Sequence, residues 1–403
     1  MGDRIYFSRI LNSVIAFAII FLAGTTIPIS PTIAQNEDEF LDPLEQPIQD
    51  PLLPTAKRSL SPRERLQLIE ALDNLNAEAQ AQLQAGNVDA AFPIWYRELR
   101  LRRSLGRLEE INALGRVGQF AWERTRREDV QIILKRLNVV QQEAELEAPL
   151  TPELLQAFAT AYEQIHSIND SINIQQKILT NARKTGNLSQ EDESLQKLGQ
   201  LYLAKFDYPN AAKIYEELLK RSQTQQNTYN EGIYLQKLAE IYSNSLQPDK
   251  AVKIKEELVT RYLSEQKPQE VPKLKLQIGA DYEALKNPEQ ASQNYQEAFS
   301  LAWSLQEFGT AADALIKLGD LYQQYKQEDY ALQIYQELIK VNQQSYDYYG
   351  LMQTYDRIGQ IHLKQNNYSQ ALTAFQKGLE IARSLNYRQD YFLSQIEQIS
   401  NQK

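Results

Sequence analysis

The side chains able to do chemistry are few. The 403 residues include two histidines, His166 and His362, and no cysteine. That leaves no thiolate nucleophile, no thiolate metal site and no disulfide. The two imidazoles lie far apart, outside any paired-histidine metal motif, and neither a glycine-rich phosphate loop nor a nucleophile elbow occurs. Carboxylate pairs such as Glu216-Glu217 and Glu256-Glu257 recur forty residues apart. Recurrence at a fixed period marks a solvated helix face rather than an acid–base couple. No hydrolase constellation, metal site or cofactor site emerges, so the expected function is to hold something, without catalysis.

Charge narrows what is held. A net charge of −9 argues against broad nucleic-acid binding, which needs a basic face. Yet Arg97 to Arg136 carries ten Arg and Lys135 against five Glu and Asp129. Arg102, Arg103 and Arg107 cluster there, as do Arg124, Arg126 and Arg127. One reading is a salt-bridged helix face, with pairs such as Glu123 and Arg127. The other is a solvated patch docking anionic lipid head groups or an acidic protein.

The elements that position these groups follow from one register. Gly199, Ala239, Gly279, Gly319 and Gly359 are each forty residues after the last, and each follows Leu or Ile. Three residues on stands Tyr202, Tyr242, Tyr282, Tyr322 or His362; twelve on stands Ala211, Ala251, Ala291, Ala331 or Ala371. His362 therefore reads as a packed ring in a tyrosine position. A period of this length means stacked supersecondary units, each touching mainly its neighbours. Earlier members are Ala159 with Tyr162 and Ser171, Gly118 with Val117 and Val130, and Ala79 with Ala91, which makes eight helix pairs. Leu393, Ile396 and Ile399 then give one apolar face to a half-unit, residues 388–403, that caps the open end. In the fourth unit Ser189 and Asp192 predict a capping box, and Pro209 opens the second helix. Small residues in two registers let helices approach at the short end of the roughly 8–10 Å range.

The N-terminal region is different. Arg4 and Arg9, the apolar run Ile10 to Ala23 and the small residues around Ala34 predict a signal peptide or signal anchor over residues 1–34. Either places the remainder outside the cytoplasm. Residues 35–62 are acidic and carry Pro43, Pro47, Pro51 and Pro54, which predicts a flexible, extended tether ending at the helix start Ser61-Pro62.

Leu198-Gly199, Tyr202, Tyr208, Ala211, Tyr215, and again Leu318-Gly319, Tyr322, Ala331, Tyr335, resemble the tetratricopeptide repeat. The forty-residue unit is similar to that of kinesin light chains, Pins/LGN-type adaptors and Rap-type regulators. The resemblance covers about residues 65–400 and implies an all-α, right-handed solenoid of helix-turn-helix units over residues 63–387. It also implies a concave surface lined by the first helix of each pair, which would present Asn76, Gln80, Gln119, Trp122, Gln156, Gln196, Gln200, Gln236 and Glu240. Amides there suit an extended peptide, since each offers donors and an acceptor. The expected role is an exported protein–protein interaction scaffold; the alternative is a regulatory receptor for a short peptide that switches superhelix shape. Lys255, in the register of Tyr215 and Tyr295, departs from the family pattern and predicts looser packing in the fifth unit.

Overall fold

The computed structural model describes residues 42–55 and 58–401. The expected signal segment, 1–34, and the first part of the tether lie outside the described residues. Helices α1 (Pro62–Gln84) and α2 (Val88–Arg102) form the first unit, α3 (Arg107–Glu123) and α4 (Arg127–Glu147) the second, α5 (Pro152–Gln164) and α6 (Ile168–Thr185) the third. The fourth and fifth are α7 (Leu188–Ala204) with α8 (Tyr208–Thr224), and α9 (Thr228–Asn244) with α10 (Pro248–Ser264). The sixth to eighth are α11 (Val271–Ala284) with α12 (Pro288–Ser304), α13 (Phe308–Gln324) with α14 (Glu328–Gln344), and α15 (Tyr348–Lys364) with α16 (Tyr368–Ser384). A final helix, α17 (Gln389–Ser400), lays Phe392 and Ile399 against α16 and closes the stack. The described chain is thus an all-α solenoid of eight pairs and a half-unit.

From α7 onward most helices have 17 residues and are joined by three-residue turns. Each turn places one residue in the left-handed region: Phe206, Gln226, Leu246 and onward every twenty residues to Asn386. The next amide then closes onto the carbonyl five residues back, as Asp207 N does onto Tyr202 O at 2.8 Å. This six-to-one bond is the usual helix stop, but it normally uses glycine. Here bulky residues accept a strained φ because the packed helices on either side over-determine the turn. Where Ser189 and Asp192 predicted the start of α7, the helix instead begins at Leu188, with the Asn187 side chain accepting from Gln190 N at 3.2 Å. An Asn one residue before the helix satisfies the same free amides, and Ser189 lies inside.

Packing rests on the two small registers. Ala211, Ala251, Ala291, Ala331 and Ala371 are fully buried. Opposite them, Gly279, Gly319 and Gly359 receive the flat rings of Tyr295, Tyr335 and Phe375, sixteen residues on; a Cβ built on Gly319 would lie 2.4 Å from Tyr335 Cε1. The tyrosine register then ties units together. The Tyr202 hydroxyl accepts from Gln176 Nε2 at 2.8 Å, Tyr242 donates to Glu216, and Tyr282 donates to Glu256 at 3.1 Å. Each bond reaches the second helix of the preceding unit. At the joint between units two and three the stack is irregular. Gly115 and Gly118 of α3 leave no room for a Cβ beside Ala161 and Ile165, so α5 rests on α3.

Residues 42–55 correct the expectation of a free tether. Leu44 is fully buried in the core of the first three units, and Asp50 pairs with Arg97 at 2.7 Å. The acidic residues do not force solvation here because the neighbouring helices supply matching cations.

The ring contact makes a testable claim. Gly319→Ala adds a good helix former, worth about 1 kcal/mol. It also overpacks a rigid ring, at about 1–3 kcal/mol. A net loss of stability is expected in denaturant melts, and a stabilised variant would show that Gly319 and Tyr335 are not in contact.

Candidate functional site on the face of the first helices

Two units lack both the glycine and the ring. In the fifth, Ala239 replaces the glycine and Lys255 the ring; in the third, Ala159 and Gln175 do so. Lys255 is 3% exposed, and its Nζ donates to Asp281 Oδ2 at 2.7 Å. Asp281 is itself a departure, since Leu201, Ile241, Leu321 and Ile361 hold its register in other units. Two polar residues in two normally apolar registers thus meet each other. Burial raises the Asp281 carboxyl above its ordinary range, against the opposing pull of Lys255.

Without a ring to fill it, the gap between α9 and α11 opens into a cleft of about 620 Å³ with Lys255 and Asp281 lining it. Gln236, Glu240, Asn244 and Gln277 also line it. A second cleft, of about 600 Å³, shares Gln236 and Tyr262 with the first and reaches Tyr229 and Arg261. The two form one trough across the fifth and sixth units, with the Gln236 amide donating to the Tyr262 hydroxyl at 2.6 Å between them. A smaller cleft of about 290 Å³ lies at the third unit, lined by Gln175, His166, Glu163, Lys197 and Gln200. Trp122 stacks on His166 there, with ring centroids 4.7 Å apart. The Gly199 and Tyr215 contact of the fourth unit stands between these openings.

The residues expected to line the groove divide accordingly. All nine lie on first helices. Gln236 and Glu240 line the trough, and Gln200 lines the third-unit cleft, which Trp122 adjoins through His166. Gln156 is exposed, Gln119 is exposed but bonds Glu123 at 2.9 Å, and Gln196 donates to the Tyr234 hydroxyl at 3.0 Å. Asn76 and Gln80 are spent internally: Asn76 Oδ1 accepts from Trp95 Nε1 at 3.0 Å, from Gln80 and from Arg116. Sequence reasoning singled out Lys255 but missed Asp281 and Gln175; the same forty-residue comparison exposes both.

The solvated basic patch is corrected. Arg102 is 8% exposed and pairs with Asp73, Glu98 and Glu109 at 2.6, 2.9 and 3.1 Å. Arg103 lies 3.1 Å from Glu110, Arg107 binds Glu147 at 2.7 Å, and Arg126 is held by Asp89 and Asp129. Only Arg124 and Arg127 of the six are exposed without an ion pair among the described residues. Most of the excess charge is neutralised by carboxylates brought in by the fold. His362 is half-buried in its tyrosine position, and burial lowers its pKa.

Helix pairs stacked one on the next and followed by a half-unit define an α-solenoid whose third and fifth units depart from the regular packing. Residues 310–384 and 193–223 match models of the tetratricopeptide repeat, so these segments carry repeats of that family. No curated protein matches it. Among solved structures it is similar to BtubC from P. vanneervenii, 20% identical, covering 55% of this chain and 92% of that one at a TM-score of 0.37. It is also similar to aspartyl phosphate phosphatase F from Bacillus subtilis, 16% identical, covering 72% and 78% at 0.39. A third is the putative kinesin light chain repeats from Podosopora anserina, 14% identical, covering 47% and 94% at 0.36. None of these carries an argument about what this chain does.

The ion pairs predict a contrast. Arg102→Glu removes a cation from a buried network and is expected to cost about 3–5 kcal/mol. Reversing Arg124 and Arg127 should change stability by no more than about 0.5 kcal/mol each. Equal melting of the two variants would mean Arg102 is solvated after all.

Proposed function

We propose that this chain is a non-catalytic protein–protein interaction scaffold or assembly factor that takes a protein or peptide segment on the face of its first helices. The observation that carries this reading is the Lys255–Asp281 pair. Replacing a buried ion pair by well-packed apolar residues is often neutral or stabilising, by about 1–4 kcal/mol. Other units supply those apolar residues, so the fifth unit forgoes available packing and opens a polar-floored trough instead. Loss of stability at a functional opening is the usual trade. Amides at Gln236 and Gln277 and charges at Glu240 and Lys273 give the trough donors and acceptors for a peptide backbone.

Ala239→Gly with Lys255→Tyr and Asp281→Leu rebuilds the regular packing and closes the trough. This variant should melt at or above the parent temperature, while its yield of crosslinked partners from native membranes falls about tenfold or more. An unchanged set of partners would remove the trough from consideration.

The proposal extends to location. Arg4, Arg9 and the apolar run that follows support export, with the solenoid at or beyond a membrane. Mature protein from the native source is expected to begin at Gln35 or within a residue or two. An intact Met1 in a carbonate-resistant membrane fraction would replace cleavage by anchoring.

A further inference from the structure

Four cations of the Arg97–Arg136 stretch, Arg97, Arg100, Arg103 and Lys135, hold a segment of the chain itself. Asp42-Pro43-Leu44 and Asp50-Pro51-Leu52 repeat one tripeptide eight residues apart, and both fold into the same turn. In each, Asp Oδ1 accepts from the leucine amide at 3.0 Å. The Asp carbonyl accepts from the amide three residues on, Glu45 or Leu53, again at 3.0 Å. The outer carboxylate oxygens face cations: Asp42 Oδ2 accepts from Lys135 Nζ at 3.0 Å, and Asp50 takes Arg97 Nε at 2.7 Å and Nη2 at 3.1 Å. Arg97 holds the Asp50 carboxyl below its usual range. At the first turn, Arg100 and Arg103 donate to the Pro43 and Leu44 carbonyls. Leu44 is fully buried.

We infer that the surface of α2, Arg103 and α4 is a docking site for acidic, proline-held Asp-Pro-Leu segments, and that its occupant, residues 42–53 of the same chain, is a separable ligand that the site also recognises as a free peptide. Recognition uses what a short peptide offers: a preformed turn, two carboxylates, two backbone carbonyls and one leucine. Pro43 and Pro51 restrict the free segment, so less ordering is lost on docking. Arg97 and Lys135 make no other ion pair among the described residues, so their charge is committed to the occupant. The site lies on second helices, apart from the trough on the first helices, and is independent of the function proposed for that face.

The covalent link gives the resident segment an effective concentration in the millimolar range, so an added peptide competes poorly with it. The experiment therefore uses two full-length proteins, the parent and Asp42→Ala with Leu44→Ala and Asp50→Ala, and a fluorescent synthetic peptide of residues 42–54. The peptide is expected to bind the triple variant at least about tenfold more tightly than the parent. Adding Arg97→Glu and Lys135→Glu to the triple variant should abolish that binding, and salt should weaken it. Equal binding to parent and triple variant, or none to a triple variant that melts normally, overturns the inference. Should the triple variant unfold, hydrogen exchange decides on the parent and on Arg97→Glu with Lys135→Glu alone. Protection at Leu44 and Leu53 that falls at least about tenfold in the double variant, with the helices unchanged, supports docking, and no protection in the parent refutes it. Concentration-dependent dimers that the triple variant abolishes would make the occupant a second copy and overturn docking within one chain.

Discussion

Every regular unit of this solenoid depends on a ring laid against a residue with no side chain. Glycine in a helix costs about 1 kcal/mol relative to alanine. A fully buried large side chain returns about 1.5–3 kcal/mol. The exchange favours the stack wherever a glycine and a ring come sixteen residues apart, as Gly279 does with Tyr295 and Gly359 with Phe375. The ring brings a second constraint, because a buried tyrosine hydroxyl needs a partner. Tyr335 finds Asp320 at 2.9 Å and Gln323 at 2.7 Å, and burial pushes its pKa up to about 12. Core packing thus fixes which polar residues must stand beside it.

The stack opens where this contact is withdrawn. The third and fifth units trade glycine for Ala159 and Ala239, and a ring for Gln175 and Lys255. The added methyl group removes the seat for a ring, and the longer polar chain leaves a gap that neighbouring helices do not close. In the fifth unit Asp281 completes the change by meeting Lys255 at 2.7 Å. A solenoid tolerates this because each unit contacts mainly its neighbours, so one opened joint leaves the rest of the array intact.

The first two units follow other rules. Their arginines are spent on a network around Glu98 and Glu110 and on the docked segment 42–53. Charge that reads as a surface feature along the chain is largely buried once the two helices of a unit lie side by side, as Arg136 and Glu110 show at 2.7 Å.

The sequence by itself determined the period, the eight pairs, the capping half-unit and the identity of the residues that pack, because each unit repeats the same contacts at the same spacing. It also marked Lys255 as out of place, since a cation in an aromatic register is visible without coordinates. Only the tertiary structure decided that Lys255 faces Asp281, that Asn76 is consumed by Trp95 and Arg116, and that Arg102 is buried. Each of these is a meeting between residues whose separation follows from how helices lean, not from local periodicity. The same holds for residues 42–55, whose composition predicts solvation and whose place depends on four cations supplied by α2, the residue after it and α4. Local pattern sets which face of a helix is apolar; which charge ends opposite which is set by the stacking of whole units.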